Sequence, residues 1–130
     1  MSSKHIVHGE LHGSTGSVQT VLFYLAGLKV ARTIAANEQL HIDSVHVVAV
    51  GAGDVQVFFD DVQGGPSSSS SGIGTIDGGE MIMRGTGAAN AVMVQTFPTP
   101  RVGFKGATVK VIAPNAVVDV ILTGWIEQVL

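Results

Sequence analysis

The sequence predicts an all-β protein, built as an antiparallel sandwich or barrel of about eight strands. Three observations lead there. The 130 residues include 20 Val and 9 Ile against 7 Leu, and β-branched side chains suit a pleated sheet better than a helix. Seventeen Gly and four Pro punctuate the chain, so apolar segments are short and closely spaced. No strand–helix alternation, no GxGxxG and no internal repeat of fixed period interrupts that pattern.

The elements follow in chain order. Residues 1–17 are polar, with three Gly and four Ser, and read as an N-terminal arm with a short edge strand at 4–8. The sandwich domain then occupies residues 18–130. Residues 18–30 (VQTVLFYLAGLKV) read as a strand with a bulge or bend at Gly27, with a buried helix over 18–28 as the competing reading that the β-branched residues disfavour. Residues 32–34 are extended and 35–38 turn. Residues 39–50 (QLHIDSVHVVAV) alternate. Strict alternation puts Leu40, Ile42, Ser44, His46, Val48 and Val50 on one face, and His41, Asp43, Val45, Val47 and Ala49 on the other. Gly51 to Asp54 joins this strand in a hairpin to 55–60 (VQVFFD). Residues 61–80, with five consecutive Ser and six Gly, read as a flexible loop. Strands follow at 81–84, 91–97, 101–105, 108–113 and 116–129. Turns separate them at 85–90, Pro98 to Pro100, 106–107 and 114–115. The last strand sorts Val118, Val120, Leu122, Gly124 and Ile126 from Val117, Asp119, Ile121, Thr123, Trp125 and Glu127.

Composition excludes several functions. Seven basic residues, scattered and outnumbered by ten acidic ones, do not make a nucleic-acid footprint. The absence of Cys removes disulfides, thiolate metal sites and a Cys nucleophile. No apolar run approaches the roughly 20 residues of a membrane-spanning helix, and the N-terminus has no signal-peptide core. Only 13% of residues are charged, and mean hydropathy is +0.41. That is about half the usual charge for a globular domain. So little charge leaves apolar surface to be covered by other chains.

The chemistry-bearing residues are few. His5, His8 and His12 have zinc-like spacing only on a helix, and Gly9 and Gly13 argue against one. On a strand, His5 and His8 point to opposite faces. His41 and Asp43 share a strand face, but no GxSxG supplies a nucleophile. Asp60, Asp61, Asp77 and Glu80 bracket the long loop without the spacing of a calcium loop. Trp125 and Tyr24 are too few for an aromatic sugar platform. No catalytic, cofactor or metal residue is assigned, and the chain reads as non-enzymatic.

Two segments carry a resemblance: KVARTIAANEQLHIDSVHVV (29–48) and VVDVILTGWIEQ (117–128). They resemble small β-sandwich structural proteins of tailed bacteriophages, among them the head decoration, or cement, proteins. The resemblance is one of pattern and transfers no functional residue. It implies a jelly-roll-like fold, a homotrimer on the capsid exterior, and a clamp across neighbouring major capsid proteins. The expected partners are further copies of this chain and the major capsid protein, without nucleic acid or membrane. The expected location is the outside of a virion assembled in the host cytoplasm. On that reading Lys4, His5, His8 and His12 form a capsid-facing arm. Asp119, Ile121, Thr123 and Trp125 form the subunit interface, because strands 45–50 and 117–126 are apolar on both faces. The alternative is a trimeric β-sandwich binding module, such as a phage fibre tip or a tumour-necrosis-factor-like domain.

Overall fold

The computed structural model describes residues 4–25, 28, 30–61 and 81–129. Every described element is a strand: β1 (Lys4–Thr20), β2 (Leu22–Leu25), β3 (Ala31–Arg32), β4 (Glu38–Ala49), β5 (Gly53–Asp61), β6 (Met81–Gly87), β7 (Ala91–Val102) and β8 (Ala107–Gln128). All pairings are antiparallel.

Two strands carry the architecture. β8 spans 22 residues and β1 spans 17, against a usual strand of about 5–6. β8 pairs with β5 over residues 107–112 and with β4 over 118–128. β1 follows β8 through both stretches, from Lys4↔Glu127 to Thr20↔Lys110. The pair therefore passes through both layers of a β-sandwich. One layer runs β7-β4-β8-β1-β2-β3, and the other runs β6-β5-β8-β1. In β1 the passage falls at three register shifts between Leu11 and Gln19, where Gly13 and Gly16 have φ of 64° and 74°. Only Gly takes that left-handed conformation without steric cost. In β8 it falls at 114–117, which no described strand pairs in register. Pro114, without an N–H, costs no ladder bond there.

The core lies between the layers. Leu40, Ile42, Val45, Val47, Val118, Val120, Leu122 and Ile126 of one layer face Val55, Val57, Phe59, Val109 and Val111 of the other. Phe23 of β2 closes one side.

Several expectations change. The segment expected as a polar arm is β1 itself, seated between β2 and β8. The expected β4–β5 hairpin does not form. Residues 50–52 instead cross between layers, and the Val50 and Gly51 amides donate to the Val117 carbonyl at 2.8 and 3.3 Å. Turn residues mark where a chain reverses, not which strand then pairs with it. Pro98 and Pro100 do not end β7. It is an edge strand, and the two prolines sit where Ser44↔Thr96 jumps to Ile42↔Arg101. The predicted turn at 114–115 is absorbed into β8. The loop assigned to 61–80 lies, apart from Asp61, outside the described residues.

The alternation predicted for β4 also breaks. Both flanking pairings slip between Ile42 and Ser44, so Asp43 is an extra residue. This bulge brings Leu40, Ile42, Val45, Val47 and Ala49 onto one inward face. Gly124 permits it. A Cβ at Gly124 would stand 1.9 Å from the His41 carbonyl oxygen and 3.1 Å from Ile42 Cα.

One charged pair pins the end of the sandwich. Arg32 Nη1 and Nη2 donate to Glu38 Oε1 and Oε2 at 2.9 and 2.5 Å, and the Ala35 amide donates to Oε1 at 2.8 Å. This planar, bidentate contact fixes β3 and the 35–38 turn against β4. Hydrogen bonding from Arg32 holds the buried Glu38 carboxyl below its ordinary value.

Two measurements check these features. Gly124→Ala should destabilise by about 3 kcal/mol or more, since backbone rather than a flexible side chain must move; an unchanged denaturant midpoint would contradict the tight approach. Because the Glu38 carboxyl is more acidic when folded, its contribution is complete above the ordinary carboxyl value and fades as pH falls through the folded one. Glu38→Gln should therefore cost about 2 kcal/mol at pH 6–7 and show a shallower loss of stability on acidification below pH 4.5. Parallel pH–stability curves for the two proteins would refute the role.

Candidate functional site

The six-stranded layer turns one face to the core and the other outward. Cross-strand register orders the outward face into rows. Val92, Val48 and Asp119 form one row, and Val94, His46, Ile121, Glu10 and Leu22 the next. Thr96, Ser44, Thr123, His8 and Tyr24 form the third, and Val102, His41, Trp125 and Ile6 the fourth. Every residue assigned from sequence to the arm or the interface lies on this face except His5. His5 pairs with the core residue Ile126 and is on the opposite side of β1. The arm and the interface are thus one surface.

Most of the assigned interface residues are already engaged within the chain. Trp125 stacks on His41, with centroids 4.9 Å apart and planes 14° apart, and Lys4 Nζ lies 4.7 Å from the Trp125 ring. The Trp125 indole N–H is buried without a hydrogen-bond acceptor. Thr123 Oγ1 donates to Asp43 and lies 2.5 Å from Ser44 Oγ. Asp43 is therefore not the partner of His41, as their shared strand had suggested. The bulge separates them, and His41 Nε2 instead meets Glu127 Oε2 at 3.1 Å. Asp119 Oδ1 accepts from the Gly13 amide at 2.8 Å and lies 3.8 Å from His12 Nδ1.

His8 and His12 flank Glu10 at 3.6 and 3.7 Å, and His8 stacks on Tyr24 at 5.4 Å. These are ion-pair distances. Among the described residues, no group of three or more His, Asp or Glu is arranged to hold a metal ion. Of the four loop-end carboxylates, Asp77 and Glu80 lie outside the described residues.

One quarter of the face has no internal engagement of this kind. Val92, Val94, Ile121 and Val48 are 62, 56, 40 and 38% exposed, and they adjoin one another across β7, β4 and β8. Val50 and Val117 extend the patch and are also exposed. His46 sits inside it, opposite Val94 on one side and Ile121 on the other. A contiguous apolar patch rimmed by polar groups is the mark of an association surface. Sequence reading found Ile121 but missed the rest. Val92 and Val94 alternate with the inward Met93, a signal present in the sequence. For His46 and Val48, the unseen bulge at Asp43 gave the wrong face.

The stacked pair offers a test. Burial, helped by Lys4, pushes the His41 imidazole below its ordinary value, while Glu127 opposes the shift. Neutral His41 is thus favoured in the fold. Its contribution is complete above the ordinary imidazole value and is lost as pH falls below it. Trp125 is the only Trp, and an imidazolium stacked on it quenches its emission. Fluorescence should fall in a transition centred below pH 6.5, and His41→Gln should abolish that transition. An identical titration in the variant would reject the assignment.

No protein-family model matches the chain, and no curated protein matches it.

Proposed function

We propose that this chain is a structural virion protein, a non-enzymatic head decoration subunit of a tailed bacteriophage. It forms a homotrimer on the capsid exterior and bridges major capsid proteins. The observation that carries this reading is the exposed apolar patch of Val48, Val92, Val94 and Ile121 on a rigid sheet face. A rotationally closed trimer is made by one patch meeting a different patch on the next copy. The patch supplies one side of that contact. The neighbouring polar rows, with Lys4, His8, His12, Asp119 and Glu10, supply a rim of both charges.

Strand order supports the same reading. Counting β1 and β8 as two strands each, the sequence β1-β8-β4-β7 faces β1-β8-β5-β6. We read that order as jelly-roll-like, with β2 and β3 added at one edge, and jelly rolls are common in viral capsids. The fold alone does not choose a function. What favours scaffolding over chemistry is that the face holds apolar area and internally paired charges.

The test has two stages. At micromolar concentration the protein should sediment as a trimer. Val94→Asp or Ile121→Asp should give a folded protomer, with strand circular dichroism unchanged. Leu122→Asp should instead unfold the chain, because that side chain is fully buried and an unpaired buried charge costs a large part of the roughly 5–15 kcal/mol of a domain. A wild-type monomer rejects the trimer. Mixed with decoration-free phage heads, the trimer should co-sediment at stoichiometric occupancy. A stable trimer that ignores heads replaces this reading with that of a trimeric binding module.

A further inference from the structure

Alongside Asp119, which lies opposite Val48, the titratable group of the apolar patch is His46. Its cross-strand partners are Val94 on β7 and Ile121 on β8. Along its own strand the outward neighbours are Ser44 and Val48. We propose that association through this patch is gated by protonation of His46, assembled near neutrality and released in mild acid. The inference rests on the assembly reading above and concerns its regulation.

The physical argument compares two states of one side chain. In the isolated protomer His46 is exposed, so water solvates its imidazole in either form. In the assembly the surrounding valines and Ile121 are covered, and His46 is covered with them. A neutral imidazole tolerates this, because it is a small, partly apolar ring. An imidazolium loses its hydration and stands among aliphatic groups. Protonation is then disfavoured in the assembly, so acid favours the protomer by linkage.

The charged groups facing His46 do not remove the cost. On β8 the nearest acid is Asp119, two positions from Ile121, and it already accepts from the Gly13 amide and adjoins His12. On β4 Asp43 accepts from Thr123. Beyond Ile121, Glu10 of β1 is shared by His8 and His12. The β7 residues adjoining His46 on this face, Val92, Val94 and Thr96, carry no charge. His8 and His12, by contrast, each have an acid within 4 Å.

The experiment is sedimentation of the wild-type protein, His46→Leu and His46→Gln at pH 7.5 and pH 5.5, with circular dichroism at both. The wild-type association constant should fall at least about tenfold at pH 5.5, with strand signal retained. Both variants should hold the same constant at both pH values, and His46→Leu should associate at least as tightly as wild type at pH 7.5. A wild-type protein assembled equally well at both pH values overturns the gate and leaves the assembly reading standing. Equal acid weakening in the variants also overturns it and transfers the effect to other groups. A wild type that is a protomer at both values overturns the assembly reading and the gate together.

Discussion

The pairing of β1 with β8 is the constraint on which the rest of this structure depends. Each strand is long enough to serve both layers, so the two sheets are joined by continuous backbone rather than by packing alone. That sets the other partners. β4 takes the free edge of β8 in one layer, and β5 takes it in the other. The β4–β5 connection must therefore change layers at the point where β8 does. The Val50 and Gly51 amides bonded to Val117 mark that junction. The interior is then filled by alternate residues of strands whose positions the long pair has already fixed.

Much of this was legible in the sequence, and the exceptions are physical. The all-β class followed from Val, Ile and Gly content. The two faces of residues 117–127 followed from alternation, which the structure keeps without interruption there. Strand partners did not follow, because period-2 patterning says which way a side chain points and nothing about what lies beside it. The bulge at Asp43 was invisible for a related reason. It requires Gly124, 81 residues away, to leave room for the His41 carbonyl. Pro98 and Pro114 misled as breakers, because each occupies a stretch where a ladder bond is not asked of it. On the candidate face, Trp125 and Thr123 were assigned to contacts with another chain from their outward position alone. Their engagement with His41, Lys4, Ser44 and Asp43 depends on pairing, and only the structure shows it.

The outward face separates into regions of different character. Its lower rows are knitted by stacked rings and ion pairs, which order Trp125, His41, Lys4 and Glu127 before any partner arrives. Its other rows hold Val92, Val48, Val94 and Ile121 together with Asp119, His46 and Glu10. Ordering a surface in advance lowers the entropy lost on association. The division sets stacked and ion-paired groups beside an aliphatic region at the β7 edge of the face.

The partnership of the first and last strands also governs when the chain can fold. Lys4 finds Glu127, and Thr20 finds Lys110, so nearly the whole sequence is enclosed by the loop that this pairing closes. Contacts so distant along the chain make for slow folding. Until β8 emerges, β1 has only the short β2 beside it, and β4 and β5 lack the strand that joins each of them to β1. The two layers therefore come together only when β8 joins them. Until then the edges of β1, β4 and β5 that β8 covers remain unpaired, the period in which aggregation competes most strongly with folding.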